Sequence, residues 1–215
     1  MEKRKLKKMA DAFVNLIKKE NPQNLKLYQD MANKALGGDG NASLKIAWYY
    51  GFYHTEGKKE WLEIAAYDQN EAEAYYCLAE WYFYESFVLG KDYQETYKLI
   101  DIANKKGCRT WCDTITYILS LHDTDKAISY YEHAYFHGES RFRAEAAKGL
   151  CHVYCGLSNP KYRNKDKYDY WFNEWRKHNP TAPDLFKQNI KKVDYEIQFT
   201  MDLNDKTHVS RLLNK

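Results

Sequence analysis

The sequence contains no apolar run that approaches the roughly 18 residues a membrane-spanning helix requires. Its five cysteines are an odd number, which fits a reducing compartment better than a disulfide framework. The basic N-terminus leads into an apolar stretch that Asp11 and Asn15 interrupt, and no small-residue cleavage site follows. We therefore interpret this segment as a helix and not as an export signal. We expect a cytoplasmic protein that does not insert into a membrane.

The chain also lacks the basic stripe that is typical of nucleic-acid binders. Its net charge is +3, and residues 1–20 alone carry seven Lys or Arg against three Asp or Glu, so the remainder is close to neutral. We therefore expect no nucleic-acid partner.

A length of 215 residues is enough for one sizeable core or one elongated array without disulfides or metals.

No glycine-rich phosphate loop, G-x-S-x-G elbow or H-E-x-x-H motif is present. His133 and His137 are one helical turn apart, and Cys151 and Cys155 repeat that spacing. In an antiparallel helix pair, however, the cysteines would lie roughly 7–13 Å along the axis from the nearest histidine, too far to share a tetrahedral ion. We expect no metal, no cofactor and no catalytic residue. The alternative is a metal-binding protein or enzyme that uses His133, His137 or His152.

Repetition is the strongest feature of the sequence. DYQETYKLIDIANKKG, at Asp92–Gly107, matches DTDKAISYYEHAYFHG, at Asp123–Gly138, with aspartate, alanine and glycine in common. A second pattern, AEAYYCLAEWY at Ala72–Tyr82, matches AEAAKGLCHVY at Ala144–Tyr154. A weaker copy of the second pattern occurs at Gly40–Tyr50. Such alternation of small and large residues predicts helices that pack closely against neighbouring helices.

The two patterns resemble helix B and helix A of the Sel-one-like repeat, a relative of the tetratricopeptide repeat, over about residues 40–179. The sequence departs from the family where Ala79 and Cys151 replace the helix-A glycine, and where Cys108–Ser120 keeps little of the helix-A pattern. The resemblance implies an all-α fold, a right-handed α-solenoid of helix-turn-helix repeats. The expected regions are an N-terminal helix pair at 1–39, a repeat array at 40–179 with units at 40–70, 71–107, 108–138 and 141–179, and a C-terminal cap at 180–215.

Within the cap, residues 193–203 alternate apolar and polar side chains. This period of two predicts a short β-strand in preference to a helix. A single strand needs a partner, which would be a hairpin through Asn204–Lys206, the edge of another protein's sheet, or a second copy of this chain in a homodimer.

Aromatic residues make up 16% of the chain, more than the repeat core requires. The resemblance implies a hollow lined by the helix-A positions that do not pack, with aromatic rings beside a few charges, a composition typical of protein-binding surfaces. We therefore expect a protein or peptide partner, bound by an adaptor, regulator or inhibitor. The alternative for Trp48 and Phe52 is packing between adjacent A helices. The predicted partner-binding residues are Trp48, Phe52, Tyr76, Glu80, Phe83, Tyr84, Arg109, Lys148 and His152.

Overall fold

The computed structural model describes residues 3–51 and 55–186, and these ranges form ten α-helices and no β-strand. The prediction of an all-α fold is confirmed for this part of the chain, while the predicted strand at 193–203 lies outside the described residues. Short 3₁₀ turns cover Pro22–Asn24, Ser140–Phe142 and Pro160–Tyr162, and a π-helical turn at Ile64–Asp68 extends the fourth helix. The helices are α1 (Lys3–Glu20), α2 (Leu25–Leu36), α3 (Gly40–Tyr50), α4 (Thr55–Glu63), α5 (Ala72–Leu89), α6 (Gln94–Lys105), α7 (Asp113–His122), α8 (Thr124–His137), α9 (Arg143–Tyr154) and α10 (Lys165–His178).

The chain divides into two compact units, each built from helices that pack in chain order. Unit 1 comprises Met1–Phe87 and Lys91–Cys108, and within it α2 packs against α1 and α3, and α3 packs against α4. Unit 2 comprises Val88–Gly90 and Arg109–Lys215, and within it α9 packs against α7, α8 and α10. Packing of successive helices in this way is consistent with a helical repeat.

Small residues occupy the interior of both units, as the alternating pattern predicts. Ala127 and Ala134 of α8 are buried, and so is Ala103 at the matching place in α6. Alanine at such places allows two helices to approach closely, while large side chains fill the space on either side. Other buried alanines include Ala32, Ala35, Ala42, Ala47, Ala65, Ala66, Ala74, Ala79, Ala146 and Ala147.

The turn between α2 and α3 uses its glycine and its aspartate for different purposes. Gly38 has a φ of +95°, which favours glycine because a side chain would clash with the backbone. The Asp39 side chain accepts a hydrogen bond of 3.0 Å from the Ala42 N–H and thereby caps the first turn of α3.

The glycines that close the two matched helix-B segments have different conformations. Gly107 has a φ of +78°, and the Cys108 N–H donates to the Ala103 carbonyl at 3.0 Å, which is typical of a left-handed helix end. Gly138 is extended, with φ −70° and ψ 176°. A Cβ at Gly138 would lie 2.5 Å from the Ala134 carbonyl oxygen, so steric exclusion is what requires glycine there.

The core of unit 2 depends on one very close approach between α8 and α9. A Cβ built on Gly149 of α9 would lie only 2.1 Å from the Tyr131 ring of α8. Tyr131 is buried, and its ring also packs edge-on against Trp111, with 5.7 Å between ring centroids. Gly149 therefore provides the space that this ring occupies.

Candidate functional site

Trp48, near the end of α3 in unit 1, has the most exposed indole ring of the six tryptophans. Its exposed fraction is 49%, whereas the other five are buried or partly buried. Burial raises the pKa of the Cys77 thiol on α5 to about 12, and the Trp48 side chain opposes part of that rise. The Trp48 ring is thus about half exposed to solvent.

Glu80 lies three residues after Cys77, so the two side chains share a face of α5. The Glu80 side chain is partly buried, and burial raises the pKa of its carboxyl, while the charge of Lys58 lowers it to a smaller extent. No residue in the described ranges forms a hydrogen bond or an ion pair with this carboxylate. The Glu80 carboxylate is therefore partly dehydrated without a direct partner to compensate for it.

The other predicted site residues of unit 1 differ in their accessibility. Tyr76 and Phe83 are 2% and 0% exposed, and Phe83 stacks on Tyr93 at 5.4 Å. Both rings therefore belong to the core and are not accessible to a partner in this structure. Tyr84 is partly buried and packs edge-on against Phe83, while Phe52 lies outside the described residues. The accessible members of the predicted set in unit 1 are Trp48, Glu80 and Tyr84.

In unit 2 the predicted residues Arg109, Lys148 and His152 have separate environments. Arg109 is exposed, and its backbone carbonyl accepts a hydrogen bond from the Glu139 N–H at 3.3 Å. The Lys148 side chain is 27% exposed and its Nζ lies 3.3 Å from a carboxylate oxygen of Glu145. His152 is buried, and burial, together with the charge of Lys148, lowers its pKa to about 4. The His152 imidazole is consequently neutral at pH 7.

Sequence reasoning missed a partly buried carboxyl, that of Asp113, beside these residues. Asp113 is the first residue of α7, and burial raises its pKa to about 6. The charge of Lys148 opposes that shift, whereas the charge of Glu145 adds to it. An acidic residue in the first turn is ordinary helix chemistry, so nothing in the sequence distinguished this one.

A second aromatic surface, also missed from the sequence, lies on α8 and α10 of unit 2. Phe136 and Tyr170 are more than half exposed, and both rings contact the buried Trp171, with centroid separations of 6.1 Å and 4.9 Å. Tyr135 completes this cluster, and its hydroxyl hydrogen-bonds to Glu174. The predicted residues were confined to helix-A positions, and for that reason helix-B rings were not considered.

The histidines and cysteines of the alternative interpretation do not converge. His133 and His137 lie side by side on α8, with ring centroids 5.1 Å apart. Cys151 and Cys155 are buried thiols whose pKa values are raised by burial. Among the residues that the structure describes, no three His, Cys, Asp or Glu side chains are arranged to hold a metal ion.

Within residues 3–51 and 55–186, no helix has the length and apolar character needed to cross a bilayer.

Comparison with protein-family models, curated proteins and solved structures gives no match to this chain. The resemblance to Sel-one-like repeats therefore stays a prediction, and the functional argument depends on the geometry of the described residues.

Proposed function

We propose that this protein is a right-handed α-solenoid of Sel-one-like repeats that binds a protein or peptide partner, acting as an adaptor, regulator or inhibitor. The binding surface in this proposal is centred on Trp48 of unit 1. The observation that carries the proposal is a large aromatic side chain, Trp48, that is 49% exposed to solvent.

An exposed tryptophan favours binding because a large apolar surface is removed from water when a partner covers it. Side chains that must be immobilised on binding usually weaken association through lost rotamer freedom. A tryptophan side chain has only two torsion angles to fix, so less of this entropy is lost. Tryptophans are frequent among the residues that dominate interface energies.

A cytoplasmic location is part of the same proposal. Cys77, Cys151 and Cys155 are free thiols, and Cys151 and Cys155 are four residues apart on one helix. Thiols persist in reducing compartments, whereas secreted proteins of this size usually oxidise them.

The experiment that tests the proposal uses the full chain and a phage-displayed library of random 12-residue peptides. Peptides selected on the unaltered protein are measured against Trp48→Ala and against Tyr67→Ala, a matched control whose aromatic ring is similarly exposed in the same unit. We expect Trp48→Ala to weaken binding by about 30-fold, since loss of such an anchor costs about 2 kcal/mol. We expect Tyr67→Ala to have little effect.

Two outcomes would contradict the proposal. Either no peptide is selected, or the selected peptides bind Trp48→Ala as tightly as the unaltered protein. Far-ultraviolet circular dichroism of each variant distinguishes loss of an anchor from loss of the helical fold, because Trp48 lies at the surface and its removal should leave the helix content unchanged.

A further inference from the structure

We propose that the outer side of α1 binds an acidic segment of a protein partner. This inference rests on the proposed function in one respect, that the partner is a protein, and it adds a second surface that contains none of the residues around Trp48. We call its six basic residues the basic face, namely Lys3, Arg4, Lys7, Lys8, Lys18 and Lys19.

The first step is the orientation of α1, which its inner side fixes. Ala10, Phe13 and Ile17 are no more than 2% exposed, and their spacing of three and four residues places them on one side of the helix. The Phe13 ring packs edge-on against Tyr28 of α2 and Tyr49 of α3, with ring centroids 5.8 Å and 5.5 Å apart. Helix α1 is therefore anchored in the core of unit 1 by this side.

The second step is the position of the basic face. All six of its side chains are exposed. Successive residues of an α-helix are about 100° apart, so the six fall within an arc of about 160° that contains none of the three buried residues. With a rise of about 1.5 Å per residue, the face is about 24 Å long. Four of its cations lie between Lys3 and Lys8, and about 15 Å of helix separates them from Lys18 and Lys19.

The third step is the charge of the basic face, which is largely uncompensated. Asp11 is the one acidic residue of α1 in the same arc, and it pairs with Lys7 at 3.2 Å. Six basic side chains against one acidic side chain leave a net charge of +5. The other five basic side chains form no ion pair with a described residue. Helix α2, which packs against α1, does not neutralise the face, because it contains two lysines and one aspartate.

Helix stability does not explain this arrangement. The first turn of α1 contains Lys3 and Arg4 and no acidic residue, although the positive end of the helix dipole disfavours cations there. Lys7 follows Lys3 by four residues and Lys8 follows Arg4 by four, and like charges at this spacing are destabilising. An anionic partner would relieve both kinds of repulsion when it binds, and local rules of this sort are broken mainly at functional sites.

The residues between the two groups of cations favour a polypeptide over other polyanions. Asp11 and Asn15 lie there, in the same arc. A nucleic-acid backbone or an anionic bilayer presents nearly continuous negative charge, part of which would face the Asp11 carboxylate. A polypeptide can place acidic residues opposite the cations and neutral residues opposite Asp11. A bilayer is disfavoured further, because the apolar side of α1 is buried in the core and cannot insert.

The experiment measures binding of a fluorescein-labelled peptide to the full chain by fluorescence anisotropy, in about 50 mM salt, where exposed charges are only partly screened. The peptide amide contains four glutamates, four alternating glycine and serine residues, and two glutamates. Its spacer, when extended, spans roughly the 15 Å between the two groups of cations. A control peptide has glutamine at every glutamate position. We expect saturable binding of the acidic peptide and at least about tenfold weaker binding of the glutamine peptide.

Two variants of the protein test whether the basic face is the site. The test variant combines three substitutions at basic residues without an ion pair, Lys3→Gln, Arg4→Gln and Lys8→Gln. The matched control makes the same change of charge at three other exposed lysines, Lys45→Gln, Lys105→Gln and Lys161→Gln. We expect the test variant to bind the acidic peptide at least about tenfold more weakly, and the control to differ from the unaltered protein by less than about threefold. Glutamine has nearly the helix propensity of lysine, and circular dichroism verifies that both variants are folded.

The absence of saturable binding, or an equal loss of binding in the two variants, refutes the acidic-segment site. Unlabelled competitors identify the class of partner. Displacement of the peptide at a lower concentration of negative charge by heptathymidylate, or by phosphatidylcholine vesicles with about 30% phosphatidylserine, would also overturn the proposal in favour of a nucleic acid or a membrane. Trp48→Ala should bind the acidic peptide as tightly as the unaltered protein, so failure at the basic face and failure of the proposed function are distinguishable.

Discussion

The close approach of Gly149 to Tyr131 allows a sharp test of the packing in unit 2, through the substitution Gly149→Ala. In an isolated helix this change would be stabilising by about 1 kcal/mol, because alanine is the better helix former. In this protein the new Cβ would lie 2.1 Å from one carbon of the Tyr131 ring and 2.4 Å from the next. Carbon atoms in contact normally stay about 3.5–4.0 Å apart.

The ring must therefore move by more than 1 Å, and its surroundings restrict that movement. Tyr131 is buried, and its ring packs edge-on against Trp111. Overpacking of this kind costs about 1–3 kcal/mol, and the overlap here is severe. After the gain in helix propensity is subtracted, we expect Gly149→Ala to lower the free energy of unfolding by about 2 kcal/mol.

Urea unfolding and thermal melting measure this effect, and for a chain of this size the expected fall in Tm is about 4–8 °C. The matched background is Tyr131→Leu, which removes the ring that the new methyl group meets. In that background Gly149→Ala should be neutral or stabilising, and the difference between the two backgrounds gives the coupling between the residues. An unchanged or higher Tm for Gly149→Ala alone would refute the close approach.

Two further predictions concern the partly buried Asp113 carboxyl and the buried Thr96 hydroxyl. Burial raises the pKa of Asp113 from 3.8 to about 6, so between these pH values the carboxyl is protonated in the folded protein and ionised in the unfolded chain. The stabilisation that the protonated carboxyl gives is therefore fully present below pH 3.8 and is lost as the pH rises through 6. Asp113→Asn should therefore raise the free energy of unfolding by up to about 3 kcal/mol at pH 7.5 and very little at pH 3.5. Urea unfolding at the two pH values measures this difference, and an equal effect at both would contradict the prediction. The buried Thr96 hydroxyl forms no hydrogen bond with described residues, so Thr96→Val should raise the free energy of unfolding by about 1 kcal/mol, and a lower Tm would show that the hydroxyl has a partner.

Much of the helical layout could be predicted from the sequence because it depends on local chemistry. Residues 1–39 were predicted to contain a pair of helices, and the structure has α1 at Lys3–Glu20 and α2 at Leu25–Leu36. Asp123 caps α8 by accepting a hydrogen bond from the Lys126 N–H at 3.1 Å, and capping of this kind is visible in the sequence as an aspartate before an apolar period. Such signals require only the residues within one or two turns.

The accessible surface was harder to predict because it depends on which face of a helix meets its neighbours. Helix α5 has apolar residues at most positions around its circumference, so periodicity does not identify an outer face. For that reason Tyr76 and Phe83 were expected beside Glu80 at the surface, although both are buried. The raised pKa of Asp113 could not be predicted for a related reason. Its surroundings include Tyr131 and Lys148, which belong to two other helices.

Equivalent places in a repeat pattern do not impose equivalent chemistry, and this limits what the pattern alone can predict. Thr96 occupies in α6 the place that Ala127 occupies in α8, and both are fully buried, but only the threonine brings a hydroxyl into the core. Gly107 and Gly138 also match, yet one adopts a positive φ and the other avoids a carbonyl oxygen. The pattern conserves small volume at a helix contact, because volume is what close packing selects. Binding groups at the surface are not subject to that selection, and Trp48 must therefore be tested by substitution and not by its match to the repeat.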